Sequence, residues 1–114
     1  MPDVHSHPLQ RVQSPEKEQT SLHQKGFATK VLFESCTSYL SKLHCHISTL
    51  EAHSGYPPHA DEYEVAILVL SGKIKTLGEN IGANGVIYYA AGQAHGMENI
   101  ENTIAKYLVF EFHK

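Results

Sequence analysis

From "KGFATKVLFES" onward the apolar residues fall in short strings broken by glycine and polar turns, and no sustained helical period appears. Residues 27–34 read as one strand. Residues 39–50 read as a second, with Leu43, Cys45 and Ile47 on one face and His44, His46 and Ser48 on the other, because side chains alternate across a strand. Residues 63–70 form a third, followed by the turn "SGK", in which Gly72 is free to take positive φ. Residues 73–77, 86–89, 95–99 and 104–112 complete the series, with "GENIGANG" read as a glycine-rich connection and "AAGQ" as a turn. Many short strands at this spacing predict an all-β antiparallel sandwich or barrel.

The last string, "IAKYLVFEF", carries apolar residues on both faces. One face fills the interior; the other needs a second cover, which predicts a homodimer. Residues 1–20 are polar, contain three prolines and show no period. They are expected to form a flexible N-terminal arm before a single domain at 21–114.

Composition narrows the possibilities. A chain of 114 residues supports one core, and 41% apolar content argues against wholesale disorder. The net charge of −3 comes without a basic stripe, which argues against nucleic acid as a partner. No apolar run is long enough to span a membrane, and the first residues lack the apolar core of a secretory leader, so a cytoplasmic protein is expected. Cys36 and Cys45 are then expected as free thiols, and without a CxxC pair a thiolate zinc site has no basis. No serine sits in a nucleophile elbow, and no GxGxxG links a strand to a helix.

Histidine is the outlier, with nine, at positions 5, 7, 23, 44, 46, 53, 59, 95 and 113. In "PPHADEYEVAILVLSG", His59 and the acids Asp61, Glu62 and Glu64 precede a strand. In "NGVIYYAAGQAHGMEN", His95 follows a glycine-bearing turn and precedes Asn99. These two segments resemble the two motifs of the cupin superfamily, whose fold is a small jelly-roll β-barrel. The first motif runs G, five residues, HxH, three or four residues, E, six residues, G. The second runs G, five residues, PxG, two residues, H, three residues, N.

In the second motif Gly92, His95 and Asn99 stand at the expected positions, while Asn84 replaces the first glycine and Ala90 the proline. The first motif aligns in two ways. Anchored on His59 and Gly72, Asp61 takes the place of the second histidine and Val65 that of the glutamate. Anchored on Glu64, His59 becomes the second histidine and Pro57 replaces the first. A regular strand puts Asp61 on the face of His59; a bulge at the strand's start would bring Glu64 inward instead, and this second arrangement is slightly favoured.

The resemblance implies a mononuclear metal site built from His59, His95 and a carboxylate, Glu64 or Asp61. Two imidazoles and a carboxylate suit a divalent transition metal such as iron, manganese, nickel or zinc. His44, His46 and His53 are further candidates if the polar face of their strand lines the interior. Tyr63, Tyr88 and Met97 are candidates for contact with a bound molecule. The expected function is a metal-binding cupin that binds or transforms a small polar molecule, such as a sugar derivative or a carboxylic acid. The alternative is a non-catalytic ligand-binding or structural module with a vestigial metal site.

Overall fold

The computed structural model describes residues 21–24 and 26–114; the arm expected at 1–20 lies outside them. Ten strands follow one another: β1 (Ser21–Gln24), β2 (Phe27–Ser35), β3 (Lys42–Leu50), β4 (Gly55–His59), β5 (Glu64–Ser71), β6 (Ile74–Thr76), β7 (Glu79–Ile81), β8 (Val86–Tyr89), β9 (His95–Glu98) and β10 (Ala105–His113). They form two antiparallel sheets. One has six strands in the order β1-β2-β3-β10-β5-β8, and the other has four in the order β4-β9-β6-β7. Strand pairing among the described residues stays within each sheet, so the barrel expected from the sequence is here a two-sheet sandwich.

The alternation of side chains builds the core between the sheets. On β5, Val65, Ile67 and Val69 are buried and Glu64, Ala66 and Leu68 point the other way. On β10 the buried set is Ala105, Tyr107 and Val109. Leu108, Phe110 and Phe112 lie half-buried on the opposite face, paired with Ile47, Cys45 and Leu43 of β3. The histidine face of β3 points inward, with His44, Ser48 and Leu50 buried.

Three strands fall where the sequence suggested none: β1, β4 within the expected polar turn, and β7 inside the glycine-rich connection. β4 carries Pro57 and Pro58, which cannot donate to a ladder. It survives as a strand because it lies at a sheet edge, and its register with β9 shifts between Tyr56 and His59. β3 starts at Lys42, three residues later than expected, because the Thr37 hydroxyl accepts the N–H groups of Tyr39 and Leu40 at 3.2 and 2.9 Å and holds a turn there. The SGK turn is as expected: Gly72 has φ 75°, and a Cβ there would lie 2.6 Å from the Ile104 carbonyl oxygen.

Candidate metal centre

The shifted register of β4 decides the site. It sets His59 directly opposite His95 as cross-strand partners, although the two are far apart in the chain. Gly96 makes the close approach possible, since a Cβ there would come within 2.9 Å of the Pro58 nitrogen and 3.0 Å of the Tyr56 oxygen. The two imidazoles meet edge to face with ring centroids 4.5 Å apart. Asp61, on the loop between β4 and β5, completes the group. Its Oδ2 lies 3.5 Å from His59 Nε2 and 3.4 Å from His95 Nε2.

The turn at residues 90–93 fixes both flanks. Gly92 N–H donates to the Asp61 carbonyl at 2.8 Å. The N–H of Ala90 donates to Gln93 Oε1 at 2.9 Å, a bond that the family's proline could not make. Asn84, in place of the family's first glycine, takes φ 71°, a conformation asparagine tolerates better than other non-glycine residues. Asn99 is buried; its side-chain amide donates to the carbonyls of Leu50 and Thr103 at 3.0 and 2.7 Å, and its Oδ1 accepts from Glu101 N–H. It anchors the connection after β9.

His95 is held on all sides. Its Nδ1–H donates to the Gln93 carbonyl at 3.1 Å, and its ring stacks on Tyr89 with centroids 3.8 Å apart and planes 5° apart. Tyr89 is itself fixed by a 2.6 Å hydroxyl contact to Thr76, which donates to the Gly96 carbonyl at 2.7 Å. With Nδ1 committed to the Gln93 carbonyl, Nε2 is the ring nitrogen turned toward the Asp61 carboxylate. Nε2 and Asp61 Oδ2 stand 3.4 Å apart, a spacing that suits two ligands of one cation. One ligand atom from each of His59, Asp61 and His95 falls within 4.8 Å of the others, and this donor set matches that of a divalent transition metal. His95 is 4% exposed, Asp61 21% and His59 48%, so the group runs from the interior to the rim and has an open side.

That side opens on a cavity of about 360 Å³ between the sheets, within the range of small-molecule sites. Phe27, Ile67 and Val109 give it apolar walls; besides Tyr89, already tied to Thr76, its phenols are Tyr56, Tyr63 and Tyr107. Burial first, then the Glu111 and Asp61 carboxylates, push the Tyr63 hydroxyl up to about 12. Burial likewise raises Tyr56 and Tyr107, so all three stay protonated at neutral pH. His46 and Glu111 also line it; burial first, and then His44, push the His46 pKa down to about 4. A larger, open depression of about 570 Å³ along β4, β9 and β6 contains no histidine.

The structure places the remaining candidates as follows. Glu64, favoured on the assumption of a bulge in β5, is not brought to His59 and His95. The irregularity beside His59 lies in β4 instead; β5 alternates regularly from Glu64 to Val69, with its own register shift only at Leu70, and Glu64 faces outward, accepting the Tyr88 hydroxyl at 2.5 Å. Tyr88 is therefore exposed on the outer surface, away from the cavity. Tyr63 lines the cavity, and Met97 is part of the hydrophobic core. Glu62 is exposed, and His53 pairs with Asn102 at 2.8 Å on the surface. Tyr56, Tyr107 and Glu111 were not singled out from sequence. A glutamate inside the apolar string "YLVFEF" was the available signal, since it shares the inward face with Tyr107 and Val109.

No family model matches the chain, and no curated protein matches it. Solved structures do. An RmlC-like cupin from Shewanella frigidimarina superposes with a TM-score of 0.71 over 89% of this chain and 88% of its own, at 12% identity. KdgF from Halomonas sp. gives 0.71 over 91% and 94%, at 13% identity. The polyketide cyclase RemF from Streptomyces resistomycificus gives 0.66 over 100% and 80%, at 19% identity. The chain therefore has the cupin fold.

Proposed function

We propose that this protein is a metal-dependent cupin in which His59, Asp61 and His95 hold one divalent transition metal at the mouth of the inter-sheet cavity. The observation that carries this reading is the convergence of three donor atoms, His95 Nε2 at 3.4 Å and His59 Nε2 at 3.5 Å from Asp61 Oδ2. When bound, such a metal polarises an oxygen of a ligand in the cavity. The chain's own groups do the rest. Tyr56 donates a hydrogen bond to a polar atom of the ligand and Tyr63, whose hydroxyl proton is turned to the Asp61 and Glu111 carboxylates, accepts one, while Phe27, Ile67 and Val109 cover its carbon skeleton and exclude water. This suits a small molecule with adjacent oxygens, a sugar derivative or a carboxylic acid.

Metal analysis of protein purified without chelator tests the reading. One transition metal per chain is expected, lost in the His59→Ala, His95→Ala double variant. With the metal in place, a panel of sugars and carboxylic acids is expected to raise the melting temperature, and no such shift should survive in the double variant.

We also propose that the protein is a homodimer. The outer face of the six-stranded sheet carries Leu108, Phe110 and Phe112 beside Ile47 and Leu43. An apolar strip of this kind is suited to cover by a second copy. Sedimentation at micromolar concentration should give twice the chain mass; a monomer would contradict it.

A further inference from the structure

Where β3 pairs with β10, a second group of nitrogen and oxygen donors comes together, two of its members, His46 and Glu111, lining the same cavity. His44 and His46 sit two residues apart on the inward face of β3, and Glu111 stands across from His44 on β10. His44 Nε2 lies 2.8 Å from His46 Nδ1, and His46 Nδ1 lies 4.0 Å from Glu111 Oε2. One donor atom from each falls within 4.8 Å of the other two. His44 is buried and the other two are half-buried.

The outer partners matter as much as the three donors. His44 Nδ1 is tied to Glu34 Oε2 at 2.5 Å. A carboxylate on one imidazole nitrogen fixes the tautomer and turns the other nitrogen's lone pair inward, as in carboxylate–histidine–metal arrangements. Glu111 is tied in the same way: its Oε1 accepts from His113 Nε2 at 2.9 Å, leaving Oε2 toward His46. With His44 Nδ1–H given to Glu34, the short contact between His44 Nε2 and His46 Nδ1 is bridged by a single proton.

We propose that His44, His46 and Glu111 form a second divalent-cation site, of the zinc class, that is separate from the site at His59, Asp61 and His95. The cation replaces the bridging proton, which passes to His46 Nε2, so that the neutral imidazole turns its Nδ1 lone pair to the metal. Bonds of about 2.0–2.1 Å at a tetrahedral centre put the two nitrogens about 3.3 Å apart, so the imidazoles need to open by about half an ångström. Glu111 closes from the other side by a change of rotamer. The fourth position faces the cavity, so that two cations would flank one bound molecule, with Tyr63 between the carboxylates Asp61 and Glu111.

Equilibrium dialysis of the full chain against zinc alone, read by elemental analysis, tests this independently of the first site. The wild type should take up two equivalents and the His59→Ala, His95→Ala variant one. Adding His46→Gln to that variant should remove the remaining ion, with at least a tenfold loss of affinity. Glu111→Gln in the otherwise intact chain should weaken one of the two equivalents and spare the other; it keeps the bond to His113 and so guards against a folding artefact. Cobalt absorption should report two spectrally distinct sites. A wild type that binds one ion, lost completely in the folded His59→Ala, His95→Ala variant, would overturn the second site and leave the first standing. One equivalent still held after His46→Gln is added to the double variant, with two held at undiminished affinity in Glu111→Gln, would overturn it as well.

Discussion

Val65 stands where the cupin motif has its glutamate, and the structure gives this substitution a measurable consequence. The side chain is 5% exposed, lines the cavity that holds His59, Asp61 and His95, and pairs across strands with Tyr89 on one side and Glu111 on the other. Val65→Glu should therefore aim a fourth ligand at the metal. Without metal the change is unfavourable. Losing the buried valine costs about 1.5–3 kcal/mol. An unpaired polar group in its place adds about 1–3 kcal/mol. The new carboxyl, close to Asp61 and Glu111, is expected to stay protonated. A sum of about 3–5 kcal/mol corresponds to a fall in melting temperature of roughly 15–25 °C for a chain of this size. Metal offsets much of this cost. If the extra ligand tightens binding a hundredfold, saturating metal returns about 2.7 kcal/mol more to the variant than to the wild type. Thermal melts of both proteins in chelator and in excess manganese or zinc measure this. The variant's metal-induced rise should exceed the wild type's by roughly 10–15 °C. Equal rises in the two proteins would refute the placement of the metal beside Val65.

Other consequences are smaller in scope. Gly72→Ala should cost about 1–3 kcal/mol, because φ is 75° and the added Cβ would press on the Ile104 oxygen and the Ala105 Cα. Gly78→Ala, at φ 80° but with nothing within 4 Å, should fall at the low end of that range; urea titration of the two variants beside the wild type measures both. Tyr89→Phe removes the hydroxyl contact to Thr76 and should cost about 1 kcal/mol with metal affinity nearly unchanged. Tyr89→Leu also removes the ring stacked on His95, and calorimetry should show weaker metal binding. Cys45 is buried, and burial pushes its thiol up to about 11, whereas Cys36 is half-buried. At pH 8 a water-soluble disulfide reagent should therefore label one thiol of the folded chain, Cys36, and reach Cys45 only in denaturant.

The strands with strong alternation were legible in the sequence because burial of one face imposes a period of two: β8 falls at the expected residues, and β5 and β10 shift by one. β4 was hidden because Pro57 and Pro58 read as turn residues, and only the neighbouring edge of β9 makes a strand of them. The same strand governs the centre. His59 and His95 could be singled out by their motif positions, but the choice between Asp61 and Glu64 depended on where the register breaks. Local pattern does not carry that information, since the break is forced by two prolines against Gly96. The inward turn of His44 and His46 was equally open, because both faces of β3 carry buried residues. What settles it is the outward stripe of Leu108, Phe110 and Phe112 on the neighbouring β10.

Anomalous diffraction at the metal edge, from crystals grown with manganese or zinc, addresses the central claim most directly. The account predicts a peak within about 2.0–2.2 Å of His59 Nε2, Asp61 Oδ2 and His95 Nε2 together. A fully loaded crystal with no peak among these three atoms would contradict it.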